Sequence, residues 1–135
     1  MTTWMVVEDE PDLYEMVLAM YEFWGFEGLA FVNGEDAIAW IDHVDQGRVQ
    51  GDLPQLVLLD IRLPGQINGV EVGARLRQSP YLQSMAIVLM TAFKLSPKEE
   101  KEYKKISGAD LLLYKPLPTL KELQATLEKI VAKRS

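Results

Sequence analysis

Leu56-Val57-Leu58-Leu59 runs into Asp60, and Leu63-Pro64-Gly65 and Asn68-Gly69 follow almost at once. Four consecutive apolar residues bounded by turn formers describe a short strand buried on both faces. Such strands belong to parallel sheets covered by helices on each side. An ionised carboxylate at the tip of a buried strand is costly unless something pairs with it. The chain offers partners in matching places: Glu8, Asp9 and Glu10 end an earlier apolar run, and Lys115 ends a later one. Carboxylates and one amine at strand ends predict a cation site beside a nucleophile.

Outward from this segment, apolar runs of about five residues alternate with helix-period segments, a rhythm that predicts βα units. Trp4–Val7 reads as the first strand and Pro11–Trp24 as the first helix, with Leu13, Met16, Val17, Met20 and Trp24 on one stripe and Gly25 as its stop. Gly28–Val32 is the second strand. Asn33 caps the second helix, with Glu35 and Asp36 in its first turn and Ala37, Ile41 and Val44 on its inner face. The polar stretch Asp45–Pro54 reads as a surface loop. Leu56–Leu59 is the third strand, Asn68–Gln78 the third helix with Val72 and Leu76 inward, and Ala86–Met90 the fourth strand.

Ser96-Pro97-Lys98-Glu99 is a helix start with a capping box. The fourth helix it opens is nearly all charged, and only Tyr103 and Ile106 offer much to a core. Packing supplies most helical stability, so this helix is expected to be weakly anchored. Gly108 ends it, and Leu111–Tyr114 is the fifth strand. Thr119-Leu120-Lys121-Glu122 has the pattern of a second capping box, and Leu120, Leu123, Leu127, Ile130 and Val131 give the last helix its apolar stripe. The whole is one α/β domain over residues 1–135, a doubly wound five-stranded parallel sheet.

Composition narrows the function. The 135 residues include no cysteine, which excludes thiol chemistry, zinc ribbons and disulfide scaffolds. A net charge of −6 argues against direct nucleic-acid binding, which needs a basic stripe. No apolar stretch approaches the ~20 residues of a membrane span, and Met1-Thr2-Thr3-Trp4 does not open a secretory signal. A cytoplasmic protein without membrane association is expected.

In open parallel sheets, functional residues gather beyond the carboxyl ends of the strands. Glu8, Asp9, Asp60, Thr91 and Lys115 all occupy such positions. Clustered carboxylates raise one another's pKa unless a cation neutralises them. Mg²⁺ suits the task, since it takes one or two carboxylates and accepts phosphate oxygens. A carboxylate can itself be the nucleophile and form an acyl phosphate. Lys115 would then hold Asp60 and later a phosphoryl oxygen as a point charge, with Thr91 donating its hydroxyl to another oxygen. Glu10 reads as a cap rather than a ligand, and His43, the single histidine, as a solvated helix residue.

Val6-Val7-Glu8-Asp9-Glu10, Leu58-Leu59-Asp60 with Leu63-Pro64-Gly65 and Asn68-Gly69, Leu89-Met90-Thr91-Ala92, and Gly108-Ala109-Asp110 through Tyr114-Lys115-Pro116 together resemble the response-regulator receiver family of two-component signalling. The resemblance covers essentially the whole chain. It implies a (βα)5 flavodoxin-like fold with strand order 2-1-3-4-5. It also implies that Asp60 accepts phosphate from a histidine kinase or histidine phosphotransfer protein, and that Glu8, Asp9, Asp60 and the Arg62 backbone carbonyl hold Mg²⁺. Thr91 and Lys115 would contact the phosphoryl group, and the Lys115–Pro116 bond would be cis. The result would be a signalling switch, not an enzyme beyond self-phosphorylation and self-dephosphorylation. It would act through the face of the fourth helix, fifth strand and fifth helix on a downstream effector protein or a second copy in a homodimer.

The chain departs from the family pattern at several points. The Asp60–Gly69 segment is one residue longer, at Gly65–Asn68, and the Thr91–Lys115 segment is also slightly long. Arg62 and Phe93 occupy positions that tune phosphoryl lifetime in the family. Leu112 stands at the switch position that is usually aromatic, while Tyr114, nearby, should point away from Leu113 and Lys115. Two alternatives remain open: a Mg²⁺-dependent phosphohydrolase with Asp60 as nucleophile, and a binding module of the same fold that no longer uses phosphate. Haloacid-dehalogenase-type hydrolases want a second Asp where this chain has Arg62.

Overall fold

Strands and helices alternate along the chain as β1 (Thr3–Val7), α1 (Pro11–Phe23), β2 (Glu27–Phe31), α2 (Gly34–Asp45), β3 (Leu56–Asp60), α3 (Gly69–Gln78), β4 (Ala86–Thr91), α4 (Pro97–Ser107), β5 (Leu111–Tyr114) and α5 (Leu120–Arg134). This is a computed structural model, and it describes residues 1–135. All strands pair in parallel, in the order β2-β1-β3-β4-β5. The order reverses between β1 and β3, which opens a crevice beyond their carboxyl ends.

Period-two alternation sorts the central strands into two cores. Met5, Val7, Val57, Leu59, Ile87 and Leu89 face α2 and α3. Trp4, Val6, Leu56, Leu58, Val88 and Met90 face α1 and α5. β1, β3 and β4 are therefore buried on both faces, whereas β2 and β5, at the edges, are only partly covered. No helix is long and apolar enough to cross a membrane.

Helix starts follow the sequence signals. Asn33, Asn68 and Ser96 each accept a hydrogen bond from the third helical residue, with reciprocal capping boxes at Asn68 and Ser96. Gly108 closes α4 with a positive φ of 71°, and the Lys115–Pro116 peptide bond is cis. Thr119 caps α5 by accepting from the Glu122 N–H at 3.4 Å, but the expected reciprocal bond from Glu122 is missing, so only half the box forms. The loop between α2 and β3 lies at the surface as its polarity predicts, tied down where Val49 and Leu53 pack against the core.

Three inner faces differ from the expected stripes, that of α5 only at its first residue, Leu120, which is exposed. On α1, Met16 turns to solvent and Tyr21 points inward, fully buried, with its hydroxyl donating to the Met5 carbonyl at 2.8 Å. A buried phenol is tolerated because that bond satisfies its polar end. On α4, Ile106 is half exposed and only Tyr103 reaches the core. The buried residue of α4 is Ser107, seated against Gly73 of α3. A Cβ built on Gly73 would stand 2.8 Å from the Ser107 Cβ and 2.9 Å from its carbonyl oxygen. The Ser107 hydroxyl returns to the Tyr103 carbonyl at 2.7 Å, so its burial leaves no polar group unpaired. α4 is thus anchored by a glycine notch rather than by an apolar stripe.

Gly73→Ala tests that notch. Overpacking of about 1–3 kcal/mol should exceed the gain of about 1 kcal/mol from helix propensity. Urea denaturation should show a lower midpoint than wild type, and an unchanged or higher midpoint would mean that the α3–α4 seat is not tight.

Candidate functional site

The crevice above β1 and β3 collects the acidic residues. Glu8 and Asp9 follow β1, and Asp60 is the last residue of β3. Glu8 is fully buried, Asp60 is 5% exposed and Asp9 faces solvent. Carboxylate oxygens of the three lie within 4.8 Å of one another. Opposite ligands of an octahedral Mg²⁺ stand about 4.2 Å apart, so a hard divalent cation fits this set after slight closure.

Lys115, just past β5, reaches across the sheet end. Its N–H bond to the Thr91 carbonyl at 2.8 Å extends the β4–β5 ladder by one step and fixes its backbone. Its Nζ donates to Glu8 Oε1 at 2.6 Å and stands 3.4 Å from Asp60 Oδ1. The expected Lys115–Asp60 pairing is therefore the longer of two contacts. Glu8, the more buried acid, takes the closer place because its charge has no water to solvate it. The other Glu8 oxygen accepts the Glu10 N–H at 3.1 Å. Glu10 caps α1, accepting from the Leu13 N–H, as its sequence position predicts.

These contacts set the protonation of the site. Burial, and then the Glu8 charge, push the Asp60 carboxyl up to about 7 against the pull of Lys115. Burial would lower Lys115, but its hydrogen bond to Glu8 and the charge of Asp60 outweigh that and hold it above its ordinary value. A bound cation opposes the rise at Asp60, because it favours the ionised form.

The remaining residues frame the crevice. α3 begins so close to Asp60 that a Cβ on Gly69 would overlap the Asp60 carbonyl, which explains glycine there. Thr91 ends β4, is buried, and its Oγ accepts the Phe93 N–H at 3.1 Å. The Arg62 guanidinium lies over the Phe93 ring at 3.9 Å and so joins the β3–α3 and β4–α4 loops. Leu112 packs into the core on the α4 side and carries no polar group. Tyr114 lies on that same face, opposite Leu113, as alternation requires. Its hydroxyl donates to Glu100 at 2.8 Å and accepts the Leu95 N–H at 3.3 Å. The hydrogen-bonding aromatic of β5 is therefore Tyr114. Sequence alternation gave its direction, but nothing in the sequence pointed to Glu100 as its partner.

Comparison with known proteins agrees with this geometry. Residues 4–128 match the response regulator receiver domain family. The chain is 33% identical over 126 residues to the phosphate regulon transcriptional regulatory protein PhoB of Rhizobium meliloti, covering 93% of this chain and 50% of that protein. It is 30% identical to the response regulator Rre1 of Synechocystis, covering 96% of this chain and 52% of that protein. The chain thus spans about half the length of these relatives. A CheY-like receiver domain from Methanospirillum hungatei superposes with a TM-score of 0.80 at 19% identity, covering 99% of this chain and 96% of that one, and so shares the fold. By family match, strand order and helix arrangement, the chain belongs to the response-regulator receiver family.

Proposed function

We propose that this receiver is a phosphoacceptor switch in a two-component phosphorelay, with Asp60 taking a phosphoryl group from the phosphohistidine of a histidine kinase or histidine phosphotransfer protein. The observation that carries this reading is the meeting of Asp60, Glu8 and Lys115 in one pocket at the sheet's switch point. On this reading residues 1–135 form one receiver unit, working in the cytoplasm.

An Asp60 oxygen attacks phosphorus, the P–N bond to the donor imidazole breaks, and an acyl phosphate forms. Asp9, Asp60, Glu8 and the Arg62 carbonyl would hold Mg²⁺, with Glu8 contributing chiefly charge because both its oxygens already have partners. Bound there, the ion would offset the negative charge of the carboxylates and the incoming phosphoryl oxygens. Lys115, already beside Asp60, supplies a point charge for one phosphoryl oxygen. Thr91 supplies a hydroxyl to another, since its oxygen only accepts from the Phe93 N–H and its proton can donate.

Such capture moves Thr91 and the loop after it, and the loop is tied to α4 and β5 through Tyr114. The α4-β5-α5 face then changes its affinity for an effector protein or a second copy of the chain. The switch needs only that this face differ between the two states. Leu112, at the usual aromatic position, contributes packing to this coupling, and Tyr114 contributes the polar contact. A hydrolase of the haloacid-dehalogenase kind lacks support, because Arg62 stands where its acid would be and stacks on Phe93.

Acetyl phosphate with Mg²⁺ should add one phosphoryl group to the intact mass of wild type and none to Asp60→Asn. A gain that persists in the variant would reject Asp60 as acceptor. Absence of any response to beryllofluoride and Mg²⁺ would favour a phosphate-independent module.

The raised Asp60 value also predicts a pH dependence. Between its ordinary value of 3.8 and about 7, the folded chain keeps a proton on Asp60 that the unfolded chain has released. The Asp60 contribution to stability therefore falls as pH rises through that window and is constant above it. Asp60→Asn should be more stable than wild type at pH 8, on the order of 1–3 kcal/mol, with the gap closing near pH 4. Urea titrations at both pH values check this, and equal gaps at the two would sink it.

A further inference from the structure

The β3–α3 loop is one residue longer than the family resemblance leads one to expect, and it carries Arg62. Residues 62–67 make one hydrogen bond to the rest of the chain: the Gln66 N–H donates to Glu35 Oε2 at 2.8 Å. Every other backbone N–H and C=O of that stretch is without a protein partner. Side-chain packing of Leu63 and Ile67 on the core and the Arg62 stack on Phe93 hold the loop, but its backbone has little else to fix it.

Glu35 lies in the first turn of α2, whose start is pressed against the same loop. A Cβ on Gly34 would stand 2.7 Å from the Ile67 carbonyl oxygen, so the helix and the loop meet backbone to backbone. The Glu35 carboxylate lies against Gly65, where a Cβ would stand 2.5 Å from Oε2 and 2.9 Å from Oε1. Gly65 has φ of 88°, a left-handed conformation that a side chain would strain. Glycine is thus required there twice, once by the backbone turn and once by the carboxylate against it. Glu35 Oε1 is buried with no hydrogen-bond partner. A carboxylate held in this way at the start of a helix gains from the helix dipole.

We propose that Glu35 is a positioning residue: it clamps the lengthened β3–α3 loop at Gly65–Gln66 and thereby sets where the Arg62 carbonyl stands relative to Asp9 and Asp60. The inference rests on the Mg²⁺ site assigned above. Glu35 acts through the loop backbone, touching neither the phosphoryl group nor the cation. Groups that orient metal ligands typically matter 10–100-fold in affinity, and Glu35 is placed to do so from a different helix.

The test separates the clamp from the site it serves. Mg²⁺ is titrated into wild type, Asp9→Asn, Glu35→Ala and Glu35→Gln, followed by amide NMR, with hydrogen exchange of residues 62–68 measured without metal. Glu35→Ala should bind Mg²⁺ at least tenfold more weakly and exchange the Gln66 amide at least tenfold faster. Glu35→Gln keeps an oxygen that accepts from Gln66, so it should stay within about threefold of wild type in both measurements.

Wild-type Mg²⁺ affinity in Glu35→Ala, with Asp9→Asn still impaired, would overturn the clamp while leaving the site intact. Equal loss in Glu35→Gln and Glu35→Ala, with Gln66 exchange unchanged, would also overturn it, since that pattern marks an effect of charge at a distance. Failure of wild type to bind Mg²⁺ at all, or binding unaffected by Asp9→Asn, would remove the site assignment and the clamp with it.

Discussion

The contact on which the rest depends is the pairing of Lys115 with Glu8 beside Asp60. Two carboxylates at the ends of fully buried strands cannot both stay charged in an apolar setting without a cation. One ammonium, delivered from the far side of β4 by the β4–β5 ladder, partly fills that need. It satisfies Glu8 first and leaves Asp60 with a raised pKa and incomplete compensation. The site is built one positive charge short. On the function proposed above, that shortage is what a divalent ion, and then a phosphoryl group, would address.

The surrounding structure keeps this arrangement in place by steric means. Gly69 lets α3 start directly against Asp60, and the β3–β4 pairing sets Asp60 beside Met90. The Arg62–Phe93 stack ties together the loops that follow β3 and β4. Each device is local, but all act on the strand ends that the sheet order has brought together.

The layout of the sheet was legible because burial on both faces leaves a plain mark. Leu56–Leu59 and Ala86–Met90 are unbroken apolar runs, and caps such as Asn33, Asn68 and Ser96 announce helix starts. The acids and the lysine were legible because charge directly after an apolar run has few structural explanations. What escaped was pairing between side chains far apart in the chain. Lys115 prefers Glu8 to Asp60 because of relative burial, which no local pattern encodes. The inward turn of Tyr21 depends on its bond to the Met5 carbonyl, and Glu35 reads as an ordinary first-turn acid until the loop it meets is seen. The seat of α4 was missed because its determinant is the absence of a side chain at Gly73 on another helix.

That notch has a consequence for divergence. Because α4 is located by Ser107 against Gly73, and by Tyr103 beneath it, the residues on its outer surface have almost no share in folding. Lys98, Lys101, Glu102 and Lys105 are all exposed. They can be exchanged for other polar residues while the helix keeps its place. If this face serves recognition as proposed, recognition and architecture are written in separate letters of the same helix.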